Sequence, residues 1–270
     1  MLGFTSSQKL DKNNDIYAYI IFGDSTALGR AEGFNTPQVL KDKYFKIYNW
    51  VWIWHAGSLQ LLEYDVNNAV ASNPGQFGME LQLATTLKVN KQEPILFIKK
   101  AVGGSSLAPT TVAGTASSWD KATGGLYNIL VSDVTNAITA AQNYNEGYNV
   151  YIKGIICMLG LNDCGNDNAS GAFSSNMDNL ITNLYNDIPL LYSGKTKLYL
   201  GRPNIAANVD PTRLNVIRTV IDNAASTYSF VESVNLDGLP LKSDLIHHGT
   251  EGELGDVDSV AVRFYNAINI

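Results

Sequence analysis

Cysteine is nearly absent: Cys157 and Cys164 are the two in a chain of 270 residues. That excludes a disulfide framework and a four-cysteine zinc site. Charge is also scarce. Charged residues make up 16 % of the chain, below the usual quarter, yet 45 % is apolar, which excludes a disordered or coiled-coil protein. Uncharged polar residues supply the surface, with 27 Asn and 19 Ser. The net charge of −6 leaves no broad cationic footprint, so neither nucleic acid nor a membrane surface is an expected partner. No apolar run reaches the length of a membrane span. The start, Met1-Leu-Gly-Phe-Thr-Ser-Ser-Gln-Lys, lacks a basic stretch followed by an apolar one, so no signal peptide is legible. The three histidines lack the His-x-x-x-His spacing, and neighbours such as His247 and His248 rarely converge on one ion, so no metal is expected.

What is present alternates regularly. Five apolar runs, residues 17–22, 95–101, 150–159, 197–201 and 230–234, lack two-residue alternation, as parallel strands covered on both faces do. Between them lie helical patterns over 79–89, 126–143, 173–191, 211–228 and 256–268. Asp210-Pro211 has the N-cap and first-turn proline of a helix start. Strands alternating with helices predict a three-layer α/β/α sandwich around a parallel five-stranded sheet. No repeat, linker or low-complexity tract interrupts 1–270, so one domain is expected. Residues 31–75 break the rhythm. Tyr48, Trp50, Trp52 and Trp54 alternate with Asn49, Val51, Ile53 and His55, and His55-Ala-Gly-Ser58 follows as a turn. This reads as an inserted hairpin near the site. Its tryptophan stripe either packs on the core or stacks on sugar rings.

In an open parallel sheet, ligands bind beyond the carboxyl ends of the strands. After the first run comes Gly23-Asp24-Ser25, with Arg30 a few residues on. This places a serine at a strand-to-helix turn, where backbone N–H groups can hold an anion. After the second comes Gly103-Gly104, where glycine lets backbone approach a substrate closely. After the third comes Gly160-Leu161-Asn162-Asp163, whose Asn162 amide could meet a developing negative charge. Near the C-terminus stands Asp244-Leu-Ile-His247. An aspartate three residues before a histidine can hold Nδ1–H and leave Nε2 to take a proton from a serine. His248 is the alternative base. Cys164 has no base assigned to it, and His55 reads as a rim or structural residue. The nucleophile-elbow motif Gly-x-Ser-x-Gly is absent.

These four blocks, in this order, resemble the SGNH (GDSL-type) hydrolases. The resemblance implies a flavodoxin-like fold, no cofactor, Ser25 as nucleophile, and Ser25, Gly103 and Asn162 as oxyanion-hole donors, with His247 and Asp244 completing the triad. Gly252, five residues after His247, fits the start of that family's last helix. Ala101 and His248 depart from the pattern, which often has Asn at the first and an apolar or aromatic residue at the second. A narrower resemblance is to sialate O-acetylesterase-like carbohydrate esterases. It is carried by Gly23–Arg30, Gln76-Phe77-Gly78, Ala101-Val-Gly-Gly-Ser-Ser-Leu107 and Trp119, although Leu159-Gly-Leu-Asn-Asp163 departs from their third block. It implies a glycan or other small ester substrate, with Asp24, Arg30, Gly104, Asp163 and Trp119 as possible substrate contacts. A lipid esterase or thioesterase, or an inactive glycan-binding module, are the alternative readings.

Overall fold

The computed structural model describes residues 14–68, 75–90, 94–108, 117–144, 147–191 and 195–269. Residues 1–13, where a signal peptide would stand, lie outside these, as do residues 69–74 of the expected insert. Strand β1 (Asp15–Gly23) is the centre of the sheet. Its side chains alternate between two apolar layers. Ile16, Ala18, Ile20 and Phe22 enter one cluster and Tyr19 and Ile21 the other, every one fully buried. Both faces being covered, the run shows no polar alternation. Each such Ile or Phe contributes roughly 1.5–3 kcal/mol by leaving water.

The chain then runs through α1 (Ser25–Leu28), β2 (Ala31–Glu32), α2 (Gln38–Tyr44), β3 (Ile47–His55), β4 (Ser58–Glu63), β5 (Gln76–Phe77), α3 (Glu80–Asn90) and β6 (Ile95–Ala101). It continues with α4 (Gly125–Gln142), β7 (Asn149–Met158), α5 (Asp167–Asp187), β8 (Lys197–Arg202), α6 (Pro211–Thr227), β9 (Val231–Asn235), α7 (Thr250–Leu254) and α8 (Val260–Ile268). Helices α4, α5 and α6 cover the Ile16–Phe22 face, and α3 and α8 the other.

The sheet has seven strands in the order β4-β3-β6-β1-β7-β8-β9, not the five expected. All neighbours are parallel except β3 with β4. The two extra strands are the hairpin of the insert. Val51–Trp54 pair with Ile95–Ile98, so the hairpin extends the sheet edge beyond β6 instead of standing apart from it. Alternation reveals a half-exposed strand but not its partner. Trp52 and Trp54 pack on the α4 side: Trp54 Nε1 donates to Asp133 at 3.2 Å, and Trp52 meets Tyr144 edge-on at 4.7 Å.

Two helix limits also differ. Helix α5 begins at Asp167, because the Asn166 side chain accepts from Ala169 N–H at 2.8 Å and caps it. The helix expected over 256–268 starts later, at Val260, where Ser259 caps α8.

Strand β1 sits between β6 and β7, at the point where connections leave in opposite directions, the usual ligand crevice of such sheets. Gly23 makes the exit possible. Its φ is +146°, and a Cβ there would lie 2.0 Å from the Met158 carbonyl oxygen. Gly23→Ala is expected to destabilise the protein by at least about 3 kcal/mol, read as a lower urea midpoint. An unchanged midpoint would mean that the backbone here yields freely.

Candidate active site

Asp24 is the N-cap of α1. Its Oδ1 accepts from Thr26 N–H at 2.8 Å and from the Thr26 hydroxyl at 2.6 Å. This sets the first turn and presents Ser25, which is 8 % exposed, at the strand end. The Lys99 ammonium secures the far end of α1. It donates to Leu28 C=O at 2.8 Å and pairs with buried Glu80 at 2.7 Å. Lys99 takes no part in the motif-based reading of the chain; the signal that singles it out is a lysine placed inside the apolar run 95–101.

The Ser25 Oγ lies 2.8 Å from Nε2 of His247, and His247 Nδ1 lies 2.8 Å from Asp244 Oδ2. The second Asp244 oxygen accepts from the backbone N–H groups of Ile246 at 2.8 Å and His247 at 3.0 Å. Burial pushes the Asp244 carboxyl upward, but the hydrogen bonds from the His247 ring and these N–H groups outweigh it and hold the pKa at about 2. The loop is closed by Lys242 N–H on His247 C=O at 2.7 Å and tied to the β8–α6 connection by Asn208 N–H on Leu245 C=O at 2.8 Å. It is thus His247, not His248, that meets the serine. His248 is 3 % exposed, and burial lowers its pKa to about 4. Cys164 is buried and raised to about 12 by burial, far from thiolate chemistry.

Two further loops come close to the turn that carries the serine. Val102 N–H bonds Gly23 C=O at 3.0 Å, which carries the β1–β6 pairing past the strand ends and sets Gly103 beside Ser25. A Cβ on Gly103 would be 3.7 Å from Ser25 Cβ and 2.4 Å from Arg30 Nη2. The Arg30 guanidinium therefore lies over this glycine, with Nη1 on Gln76 Oε1 at 3.2 Å. Gly104 takes φ +76° to turn the loop away. From the other side, Asn162 follows β7 and donates to Asp24 Oδ2 at 3.4 Å.

Three expected substrate contacts lie under the site instead. Asp24 is fully buried, occupied by Thr26 and Asn162. Asp163 is fully buried, and its two oxygens accept from Leu107 and Ala108 N–H at 3.0 Å each. It staples the loop bearing Gly103 to the loop bearing Asn162. Trp119 is 1 % exposed. Its Nε1 donates to Ser105 Oγ at 2.9 Å, and its ring packs on Phe22 at 5.1 Å. Adjacency in sequence to a functional block does not report burial.

Burial raises the Asp163 carboxyl to about 7, against the lowering effect of its two backbone hydrogen bonds. The folded state therefore holds a proton that the unfolded chain releases near pH 4, so stability falls as pH rises from about 4 to 7. Asp163→Asn is expected to flatten that slope in urea melts. An unaltered slope would place the titration elsewhere.

Among the described residues, no group of three or more His, Cys, Asp or Glu is arranged to hold a metal ion.

No curated protein sequence matches the chain significantly. Among solved structures, a protein from Arabidopsis thaliana is 19 % identical with a TM-score of 0.71, covering 94 % of this chain and 97 % of that one. NanS is 15 % identical with a TM-score of 0.67, covering 96 % and 98 %. A carbohydrate acetylesterase from Xanthomonas citri is 13 % identical with a TM-score of 0.52, covering 92 % of this chain and 56 % of that one. These likenesses establish the fold, that of the SGNH hydrolases. The family model described as carbohydrate esterase, sialic acid-specific acetylesterase matches residues 15–261. With nearly the whole chain so matched, the protein belongs to the sialic acid-specific acetylesterase family of carbohydrate esterases and is a carboxylic ester hydrolase.

Proposed function

We propose that the chain is a serine esterase that removes O-acetyl groups from carbohydrate through an acyl-enzyme. The carrying observation is the unbroken relay Asp244–His247–Ser25, with 2.8 Å at both links. Asp244 fixes the imidazole with Nδ1 protonated, so Nε2 accepts the Ser25 hydroxyl proton as Oγ attacks the ester carbonyl. The carbonyl oxygen becomes an oxyanion facing Ser25 N–H, Gly103 N–H and the Asn162 amide. Collapse breaks the bond to the sugar oxygen, which takes the proton from His247. Water, deprotonated by the same ring, then attacks the acyl-serine. Acetate leaves and Ser25 regains its proton. The substrate class rests on the family and on the structural neighbour from Xanthomonas citri, a carbohydrate acetylesterase.

An acetate-release assay on O-acetylated sialic acid, acetylated xylan and p-nitrophenyl acetate tests this reading. Absence of acetate release from every one of them by folded protein would reject it. Asn162→Ala is expected to lower kcat by about 10²–10³-fold with little change in KM, the usual size for one oxyanion donor. A change below about threefold would remove Asn162 from that role.

A further inference from the structure

A buried group of charges that the chemistry does not use lies where α1, α3, β6 and α7 meet. Glu80 on α3 is fully buried. Its Oε2 meets the Lys99 ammonium at 2.7 Å, and its Oε1 accepts from Gly78 N–H at 3.1 Å and from the Asn68 amide at 3.3 Å. Lys99, itself almost wholly buried, also donates to Leu28 C=O at the end of α1. Glu253 on α7 is 1 % exposed, and its Oε2 has no hydrogen-bond partner among the described residues. The charges acting on it are those of Glu80 and Lys99. Charged groups of the other elements packed on α7 are engaged elsewhere: Glu32 of β2 with Lys242, and Arg263 of α8 with Asp258.

Two buried carboxyl groups thus stand against one ammonium. An unpaired buried ion is costly, so the group folds with one proton bound and no net charge. Glu80 has the ammonium and two N–H donors, the partners of a carboxylate. Glu253 lacks such partners on Oε2 and holds the proton. Burial and the Glu80 carboxylate push its carboxyl well above the usual range, against the pull of Lys99. Both ends of the relay are attached to this group. Ser25 begins α1, whose last carbonyl Lys99 holds, and His247 stands three residues before α7, which carries Glu253.

We propose that Lys99 and Glu253 are positioning residues for the esterase, forming with Glu80 one neutral buried group that sets the helix of Ser25 against the helix behind His247. Their role presupposes the esterase reading above; neither reaches the reacting atoms. Removing the ammonium leaves two carboxyl groups facing each other in the interior. Repulsion then parts α3 from α7 unless a second proton binds, so the harm depends on pH.

The test compares acetate release from p-nitrophenyl acetate by wild type, Lys99→Met and Lys99→Met/Glu80→Gln at about pH 6 and about pH 8. Lys99→Met is expected to lower kcat about tenfold or more at the higher pH, with KM changed less than about twofold, since a small misplacement of reacting groups costs up to about 10²-fold. That deficit relative to wild type should shrink at the lower pH, where the second proton binds. In the double variant, whose interior keeps only the Glu253 carboxyl, the deficit should be the same at both. A Lys99→Met deficit that is absent or independent of pH would overturn the assignment, because lost packing alone titrates nothing. A pH dependence that persists in the double variant would do the same. Urea melts of Glu253→Gln serve should Lys99→Met not fold. Wild type holds a proton that the unfolded chain releases near the ordinary glutamate value of 4.5, so its midpoint falls as pH rises above that value. The permanently neutral glutamine variant should lose this part of the slope, and a slope identical to wild type would also overturn the assignment. Failure of the esterase reading shows differently, as no ester hydrolysed by wild type.

Discussion

Ser25→Ala is expected to lower kcat on p-nitrophenyl acetate by about 10⁶-fold. The substitution removes one oxygen from a residue only 8 % exposed. It breaks the hydrogen bond between Oγ and His247 Nε2, whereas the Asp24 cap on Thr26 N–H does not involve the serine side chain. The thermal midpoint should therefore move by no more than a few degrees. What remains is the stabilisation supplied by amide donors and binding alone, typically about 10³–10⁴-fold over water. Burst kinetics should vanish with the nucleophile, because no acyl-enzyme forms. Full acetate release by a folded alanine variant would show that another group attacks.

Asp244→Asn is the second large effect, about 10⁴-fold in kcat. The substituted amide retains an oxygen able to accept from Ile246 and His247 N–H, so the loop keeps its shape. Its other atom offers an N–H to Nδ1, which must then accept. The imidazole proton moves to Nε2, and the ring no longer accepts the serine proton. KM should change little, because no contact of Asp244 with substrate is invoked. A rate within tenfold of wild type would mean that something other than Asp244 sets the tautomer. The carboxylate also leaves a trace in stability. Its pKa of about 2 in the folded state lies below the ordinary value of 3.8, so its contribution is present above about pH 4 and is lost as pH falls towards 2. The asparagine variant should lack that acid-side loss.

The strands and the chemistry-bearing residues were legible for one reason. Parallel strands buried on both faces are written as short apolar runs, and the residues following them collect at one end of the sheet. Ser25, Gly103 and Asn162 follow β1, β6 and β7, the three central neighbours, so the fold sets Gly103 beside Ser25 and Asn162 beside Asp24. The link between Asp244 and His247 was legible from spacing alone. The edge of the sheet was not. Trp50, Trp52 and Trp54 alternate as any half-buried strand does, and pairing partner is a long-range property that alternation does not carry. Nor was depth. Asp24, Asp163 and Trp119 lie next to functional blocks, but their polar atoms turn inward and hold Asn162, the Leu107–Ala108 backbone and Ser105. A carboxylate that braces a loop and one that greets a substrate have the same letter.

Asp244 and His247 share one short turn, tied internally by Lys242 N–H on His247 C=O. Their mutual alignment is therefore settled by local chain geometry, and assembly of the whole domain adds the long-range joins: the 2.8 Å contact to Ser25, Asn208 N–H on Leu245 C=O, and the Lys242 ammonium on Arg30 C=O and Glu32. A disturbance of those joins would carry the acid and its ring together relative to the hydroxyl. The acid and its ring thus meet the serine as one unit.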